Sequence, residues 1–336
     1  MRTGTVAPGG RAMRVLVCGG AGYVGSHMVR RLAQSGHEVV VLDNLSTGHR
    51  EAVGDVALVV ADLRDAAALD RVFAAQPFDA VMHFCASSLV GESMREPLAY
   101  WDNNVGGSLA LLGAMRRAGV RKLVFSSTAA VYGQPEVDLI DEAQPKRPIN
   151  PYGWTKLAVE QVLQQLAQSE GFESASLRYF NAAGASDDGW LGESHDPETH
   201  LIPNLLFAAL GRGEGMKIFG DDYPTPDGTC IRDYVHVLDL AEAHLAALET
   251  MDGGTGARAF NLGLGSGYSV MQVLQCVRRV TGIDVPVQVV GRRPGDPPVL
   301  VASNRLALTQ LGWRPVRSGI EDIVASAWRW HRAQRF

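Results

Sequence analysis

The chain has 336 residues, of which 46% are hydrophobic and 20% are charged, and its formal net charge is −5. This is the composition of an ordinary globular protein with enough residues to bury a sizeable core. The weak negative charge argues against nucleic acid or an anionic membrane surface as a partner, and no apolar run reaches the roughly 20 residues of a membrane helix.

The four cysteines, Cys18, Cys85, Cys230 and Cys276, have no C-x-x-C spacing. Scattered cysteines favour a reducing compartment and argue against a disulfide framework or a zinc site. We therefore expect a cytoplasmic protein without a bound metal. Residues 1–12 lack the apolar segment of a secretory signal, and we expect them to form a disordered leader.

Short apolar runs alternate with helical patterns through the first half of the chain, and the longest helical pattern covers residues 95–118. The runs are continuous rather than alternating, as in strands that are buried on both faces. Strand–helix–strand repetition predicts an α/β fold with a Rossmann-type doubly wound parallel sheet. We assign residues 13–182 to this domain.

The pattern loosens after residue 182. Helical patterns near 201–211 and 269–281 alternate with short apolar runs and a turn-rich stretch, "DDYPTPDGTC". Residues 183–336 are therefore predicted to form a smaller mixed α/β lobe that binds the substrate, and some C-terminal segments are expected to pack back on the first domain.

A glycine-rich turn follows the first predicted strand and opens a helix. Gly19, Gly22 and Gly25 have G-x-x-G-x-x-G spacing, which lets backbone N–H groups approach a pyrophosphate at a helix N-terminus. Asp43 ends the second strand, where a carboxylate hydrogen-bonds the adenosine ribose. Because no arginine is adjacent to Asp43, we predict NAD rather than NADP. Asp62 is placed either to reach the adenine or to cap a helix.

Polar residues with acid–base chemistry follow the fifth predicted strand. The stretch "FSST" supplies Ser126, Ser127 and Thr128, and "NPYGWTK" places Tyr152 and Lys156 four residues apart on one helix face. A nearby ammonium lowers the pKa of a phenol, so this tyrosine is predicted to remove a proton from an alcohol as hydride leaves its carbon. The alternative is that the pair only covers the protein surface.

The sequence resembles the extended short-chain dehydrogenase/reductases, and more closely the UDP-glucose 4-epimerase family, from about residue 13 to 333. The matching stretches include "VLVCGGAGYVGSH", "FSSTAAVYG", "NPYGWTKLAVEQ" and "LRYFNAAGA". The most specific of them is "IFGDDYPTPDGTCIRDYVHVLDLA". The resemblance implies that Tyr152 is the base for the sugar 4-hydroxyl, that Lys156 binds the nicotinamide ribose, and that Thr128 hydrogen-bonds the reacting oxygen.

The resemblance also implies two sets of binding residues. The cofactor set is Gly19, Gly22, Tyr23, Val24, Gly25, Asp43, Asn44, Asp62, Leu63, Asn104, Ser126, Tyr152, Lys156 and Tyr179. The substrate set is Ser127, Thr128, Tyr152, Asn181, His200, Leu201, Phe219, Arg232, Arg293, Asp296 and Leu300. Within the second set, Asn181 and Arg232 would contact phosphate, Phe219 would hold uracil, and Arg293 with Asp296 would close over the ribose and phosphate.

The implied reaction is NAD-dependent 4-epimerisation of a UDP-hexose, UDP-glucose or UDP-galactose, through a transient 4-keto sugar. The run Thr128-Ala129-Ala130 lacks the acid that related dehydratases carry, which favours epimerisation. UDP-GlcNAc, UDP-xylose or UDP-arabinose, and UDP-glucuronate remain open as substrates, partly because Leu300 replaces a tyrosine of some family members. A catalytically silent NAD-binding sensor is the remaining alternative. Family members commonly form homodimers, here through the 95–118 helix and the helix after Tyr152.

Overall fold

The computed structural model describes residues 11–212, 215–251, 253–293 and 296–336. Most of the expected leader, residues 1–10, lies outside the described residues. The strands, in chain order, are β1 (Arg14–Cys18), β2 (Glu38–Asp43), β3 (Ala57–Val60), β4 (Ala80–His83), β5 (Lys122–Thr128), β6 (Leu139–Ile140), β7 (Glu173–Tyr179), β8 (Asn181–Ala183), β9 (Met216–Phe219), β10 (Ile231–Arg232), β11 (Tyr234–His236), β12 (Ala257–Leu262), β13 (Tyr268–Ser269), β14 (Val287–Val290) and β15 (Val299–Ala302).

The α-helices, in chain order, are α1 (Tyr23–Gln34), α2 (Ala66–Ala75), α3 (Val90–Arg95), α4 (Pro97–Tyr100), α5 (Gly107–Ala118), α6 (Pro151–Glu170), α7 (Leu201–Ala209), α8 (Val237–Glu249), α9 (Val270–Thr281), α10 (Arg305–Gln310) and α11 (Ile320–Arg332). A π-helical turn, Trp101–Gly106, joins α4 to α5, and its flanking residues keep right-handed helical angles. These three pieces therefore form the long helix expected over 95–118. Among the described residues, no helix combines the length and the apolar character that crossing a bilayer requires.

The described residues form two compact units, each built from three chain segments. The first contains residues 11–133, Pro145–Arg178 and Ala241–Phe260. The second contains Gln134–Gln144, Tyr179–Leu240 and Asn261–Phe336. The division expected at residue 182 assigns a single segment to each domain, whereas both units also take in a segment from elsewhere in the chain.

The first unit is built on a seven-stranded sheet with the order β12-β7-β5-β4-β1-β2-β3. β1 pairs in parallel with both β2 and β4, so the strand order reverses beside β1. The side chains of β1 from Val15 to Cys18 are fully buried, as the continuous apolar run predicts. The predicted doubly wound parallel sheet is confirmed, and ligands of such sheets bind at this reversal point.

Helix α6 places the catalytic candidates at one edge of this sheet. Asn150 caps the helix by accepting a 2.8 Å hydrogen bond from the backbone N–H of Gly153, and Pro151 occupies the first turn. Gly171 ends the helix in the left-handed conformation with φ 67°. These signals put Tyr152 in the first turn and Lys156 one turn further along the same face.

The second unit is a smaller mixed α/β lobe, as predicted. It contains a four-stranded sheet of order β13-β10-β15-β6 and two-stranded pairs β11-β8 and β14-β9. Its apolar core gathers buried side chains from α7, α9 and α11, such as Leu206, Val277 and Ile323. The strand ends of β8, β10 and β15 carry several of the predicted substrate residues.

Candidate active site

The glycine turn after β1 has a geometry that side chains would not allow. Gly19 has a φ of 81°, and a Cβ on Gly25 would lie 2.0 Å from the carbonyl oxygen of Gly19. Gly22 is the N-cap residue of α1, with no side-chain capping bond and no acidic residue in the first turn. A close backbone approach and an uncapped helix N-terminus fit the pyrophosphate of a dinucleotide such as NAD.

Asp43 fastens this turn to the end of β2. Its Oδ2 accepts a 2.9 Å bond from the N–H of Ala21 and its Oδ1 a 2.8 Å bond from the N–H of Leu45. A carboxylate has about four lone-pair sites, so Asp43 retains acceptor capacity for a ribose hydroxyl. The predicted ribose role therefore fits a residue that also shapes the loop.

Asp62 lies in a small charged cluster beyond β3. Its carboxylate accepts hydrogen bonds from Arg64 and a 2.9 Å bond from the Nδ2 of Asn44. The hydrogen bonds from Arg64 are the main cause of its lowered pKa. The capping residue of α2 is Asp65, which accepts from the N–H of Ala68, so the helix-cap alternative for Asp62 is wrong. The next residue, Leu63, is buried.

Tyr152, Thr128 and Lys156 come together where β5 ends. A hydrogen bond joins the side chains of Thr128 and Tyr152. The Nζ of Lys156 lies 6.0 Å from the centre of the Tyr152 ring and 4.9 Å from that of Phe125. It donates a 2.8 Å bond to the carbonyl of Ser126. The predicted alcohol-oxidising group is thus assembled on the sheet edge that also carries the glycine turn.

Burial changes the acid–base properties of this group. It raises the pKa of Tyr152, and the hydrogen bond with Thr128 partly offsets that rise. Burial also lowers the pKa of Lys156 to about 8. The expectation that Lys156 lowers the phenol's pKa is therefore not met in the protein alone, since its ammonium is directed to the Ser126 carbonyl rather than to the phenolic oxygen.

Ser127 occupies a buried network instead of an open position. Its hydroxyl donates a 2.6 Å bond to the Oε1 of Glu160. Glu160 also forms a bidentate ion pair with Arg178, whose Nη1 donates a 2.9 Å bond to the phenol of Tyr132. This placement favours a structural role for Ser127. Neither Glu160 nor Arg178 was predicted from the sequence, although an arginine within a predicted strand, as Arg178 is, was a usable signal.

Asn104 lies in the π-helical turn and is 3% exposed. Its Oδ1 accepts a 2.8 Å bond from the N–H of Ser87, and its Nδ2 donates to the Ser87 carbonyl at 3.0 Å. The same Nδ2 donates a 3.1 Å bond to the Oγ1 of Thr155 in α6. Asn104 therefore ties the segment after β4 to the helix that carries Tyr152 and Lys156.

The second unit places most of its predicted substrate residues in three groups. Asn181, two residues beyond the half-buried Tyr179, donates through its N–H and its Nδ2 to the carbonyl of Asp233, each at 3.0 Å. Arg232 on β10 forms an ion pair with Asp296, and its strand neighbour in register is Leu300 on β15.

The third group is a stacked cation and ring. The guanidinium of Arg293 lies 3.9 Å from the centre of the Phe219 ring, within the range of cation–π contacts. His200 and Leu201 lie outside these three groups and are the N-cap and the first residue of α7. His200 also belongs to a cluster of two histidines and two glutamates, which the spacing of the cysteines does not predict.

The parallel sheet, the glycine turn and the Thr128–Tyr152–Lys156 group define a nicotinamide-dependent protein of the short-chain dehydrogenase/reductase class. A model of the NAD dependent epimerase/dehydratase family matches residues 15–263, and the chain belongs to that family. The family predicted from the sequence motifs is confirmed.

Individual relatives resemble almost the whole chain. It is 52% identical over 322 residues to a UDP-glucose 4-epimerase of Streptococcus mutans, covering 95% of this chain and 97% of that protein. A crystal structure of UDP-glucose 4-epimerase from Brucella ovis in complex with NAD is 48% identical with a TM-score of 0.92, covering 94% and 98% of the two chains. One from Bifidobacterium longum in complex with NAD+ and UDP is 37% identical with a TM-score of 0.91, covering 96% and 98%.

Proposed function

We propose that the protein catalyses the NAD-dependent interconversion of UDP-glucose and UDP-galactose at C4 through a transient 4-keto sugar. The observation that carries this proposal is the group of buried Thr128, half-buried Tyr152 and buried Lys156 at the sheet edge that holds the glycine turn. Relatives near 50% identity over 95% of the chain are named UDP-glucose 4-epimerase, which supports the same reaction.

Tyr152 is the acid–base group. As a phenolate it takes the proton of the sugar 4-hydroxyl, and it returns the proton when the keto group is reduced on its other face. Thr128 donates its hydroxyl to the phenolic oxygen, which stabilises the phenolate. NAD, when bound, accepts hydride from C4 and gives it back, and its oxidised nicotinamide ring adds positive charge.

Lys156 holds this arrangement in place. Its ammonium is fixed by the Ser126 carbonyl and buried under the Tyr152 ring. In the proposed complex it also binds the nicotinamide ribose, and the glycine turn and Asp43 hold the pyrophosphate and the adenosine ribose. Asn104 positions helix α6 through its hydrogen bond with Thr155.

The second unit supplies the nucleotide contacts. Arg232 is held by Asp296 and retains N–H groups that suit bidentate binding of a phosphate. Asn181 contacts the diphosphate, and Phe219 with Arg293 binds the uridine. The sugar is held less firmly than the nucleotide, because the 4-keto intermediate must rotate and present its other face before hydride returns.

The proposal includes a homodimer in the cytoplasm. Large apolar side chains are exposed on the two predicted dimer helices, including Leu98 at 82% and Trp154 at 47%. Further exposed apolar residues are Trp101 and Leu109 on the first of these helices and Met94 on the preceding helix α3. Such a patch is typical of a protein–protein contact. All four cysteines are free thiols, which fits a reducing compartment.

The test is conversion of UDP-galactose without added reductant, followed by chromatography of the sugar nucleotides. We expect UDP-glucose as the product and no net change in NAD redox state. Turnover of UDP-GlcNAc, UDP-xylose or UDP-glucuronate in place of the glucose pair would reassign the substrate. Retention of NAD with no turnover of any of these nucleotides would favour the NAD-binding sensor.

A further inference from the structure

A second cluster of chemically active side chains lies in the loop before α7. Glu193, His195, Glu198 and His200 each direct one potential ligand atom into it, and these atoms all lie within 4.8 Å of one another. The sequence signal is "ESHDPETH", in which two glutamates and two histidines occupy alternate or near-alternate positions. None of the acid–base or nucleotide-binding steps proposed above uses this cluster as a whole.

The distances resemble those between ligands around a small cation. The Nδ1 of His195 is 3.2 Å from the Oε1 of Glu193 and 3.7 Å from the Oε2 of Glu198. The Nδ1 of His200 is 3.5 Å from the Oε1 of Glu198 and closer still to the Oε1 of Glu193. Ligand atoms about 2.0–2.2 Å from a tetrahedral zinc ion lie roughly 3.3–3.6 Å apart.

The side chains of the two glutamates are buried. The side chains of Glu193 and Glu198 are 4% and 5% exposed, and their ion pairs within the described residues are with the two histidines. The Oε2 of Glu198 is buried and has no hydrogen-bond partner among those residues. A buried carboxylate oxygen in that state is costly unless a cation or a donor satisfies it.

The surrounding structure holds the cluster and leaves it accessible. The Oε1 of Glu198 accepts bonds from the N–H groups of Thr199 and His200 at 2.7 and 2.8 Å. The carbonyl of Glu193 accepts a 2.8 Å bond from the indole of Trp330. The side chains of His195 and His200 are 33% and 52% exposed, so an ion has a path from solvent.

We propose that Glu193, His195, Glu198 and His200 bind one divalent transition-metal ion, for which Zn²⁺ best matches the donor set. Imidazole nitrogen with carboxylate oxygen suits zinc, which has no geometric preference of its own. Four protein ligands close a tetrahedral site, so the ion is structural rather than catalytic. It fixes the loop that leads into the first turn of α7, where Leu201 is a predicted substrate contact.

The competing explanation is a metal-free cluster in which protonated imidazoles balance the carboxylates. Burial acts to lower the pKa of His195, but the nearby carboxylates of Glu193 and Glu198 raise it to about 10. The two explanations differ in metal content, which is measured without any substrate. The outcome is therefore independent of whether the protein epimerises UDP-glucose.

The experiment uses the untagged full-length protein, stripped with a chelator and dialysed against Zn²⁺. We expect about one zinc per chain by elemental analysis. His195→Ala and the near-isosteric Glu198→Gln should weaken zinc binding at least about 10-fold in competition with a chromophoric chelator, since even outer-shell changes cost 10–100-fold. His37→Gln is the control and should bind zinc as the wild type does, because His37 lies in the first unit and accepts a bond from the N–H of Met13.

Two further readouts keep the assignment testable if a variant does not fold. X-ray absorption at the zinc edge of the wild type should reveal two imidazoles among nitrogen and oxygen ligands. Bound Co²⁺ should give the strong visible absorption of a four-coordinate site. Uptake below a tenth of an equivalent, equal binding by wild type and Glu198→Gln, or an edge spectrum without imidazole would overturn the proposal.

Discussion

The hydroxyl of Thr128, at the end of β5, hydrogen-bonds the phenol of Tyr152 in the first turn of α6. The Oγ1 of Thr128 also accepts a 3.1 Å bond from the N–H of Ala130. Because the bond between Thr128 and Tyr152 lowers the pKa of Tyr152, it stabilises the ionised phenol. The sheet and the helix together therefore hold the group that is proposed to exchange the proton.

Replacement of Tyr152 by phenylalanine removes only the phenolic oxygen. We expect Tyr152→Phe to lose about 10²–10⁴-fold in kcat, the usual contribution of an acid–base group, while the bound NAD content and the melting temperature stay near those of the wild type. The value of kcat is measured by a chromatographic assay of UDP-galactose turnover, and the NAD content by the absorbance of the released cofactor. Near-normal turnover would exclude Tyr152 as the base.

Thr128→Val should change the pH dependence of the reaction. Loss of the hydrogen bond raises the pKa of Tyr152, so the acidic limb of the kcat/KM profile moves to higher pH, because the base works only when deprotonated. A hydrogen bond to a charged group contributes about 1.5–3 kcal/mol, which corresponds to a shift of about 1–2 pH units. Thr128→Ser retains the hydroxyl, so the acidic limb of its profile should stay at the pH of the wild type. If the limb shifts equally in both variants, the hydroxyl does not lower the pKa of Tyr152.

The sequence predicts the sheet and suggests the residues of the proposed proton-transfer group, but not their mutual contacts. The continuous apolar runs identify the strands, and the four-residue spacing puts Tyr152 and Lys156 on one helix face. The bond from Lys156 to the Ser126 carbonyl depends on how α6 packs against β5, which no local pattern contains. The same holds for Ser127, whose hydroxyl meets Glu160 across the fold.

The cluster of Glu193, His195, Glu198 and His200 could not be predicted from the sequence for a different reason. Cysteine spacing carries a strong signal for zinc, and its absence led to the expectation of no metal. Histidines and glutamates are common in polar loops, so "ESHDPETH" is weak evidence until the loop's fold directs four side chains to one point. Chain conformation, rather than composition, creates that candidate site.

Asp43→Ala should weaken NAD retention and relax discrimination against NADP. The carboxylate that is proposed to bind the ribose hydroxyl is lost, and the N–H groups of Ala21 and Leu45 lose their acceptor, at a cost of about 1–3 kcal/mol each if they stay buried. Cofactor content after dialysis and reconstitution with NADP measure the effect.

Asp65→Ala is the matched control for Asp43. Asp65 caps α2 and its replacement costs about 1 kcal/mol of stability without touching the proposed ribose site. If Asp43→Ala keeps its full NAD complement and still rejects NADP, the ribose role of Asp43 is wrong.

Leu300→Tyr should reduce turnover of UDP-GlcNAc relative to UDP-glucose. Leu300 is in register with Arg232 on the neighbouring parallel strand, so both side chains stand on the same sheet face. A tyrosine ring there would crowd the sugar's 2-substituent, and apolar size differences contribute about 1–3 kcal/mol to discrimination. The ratio of kcat/KM for the two substrates measures this. Leu300→Met conserves volume and should leave the ratio unchanged. If Leu300→Tyr also leaves the ratio unchanged, Leu300 does not line the sugar pocket.

Leu98→Glu should dissociate the proposed homodimer. A charge placed in the centre of an apolar contact opposes its burial, so light scattering after gel filtration should report the mass of one chain at concentrations where the wild type is a dimer. Val316→Glu is the control, because Val316 is 78% exposed but lies away from the two predicted dimer helices in the chain. A wild type that is already monomeric would contradict the dimer.

The chain order of the seven-stranded sheet has a consequence for synthesis on the ribosome. β7 ends at Tyr179 and is covered on one side by β12, which begins at Ala257. At about 5–20 residues per second, the roughly 80 intervening residues take about 4–16 s to emerge. During that interval the nascent β7 presents an open edge that another strand can join. Slow codons or early termination before residue 257 would therefore favour aggregation, and a chaperone that covers strand edges should protect the chain most at this stage of elongation.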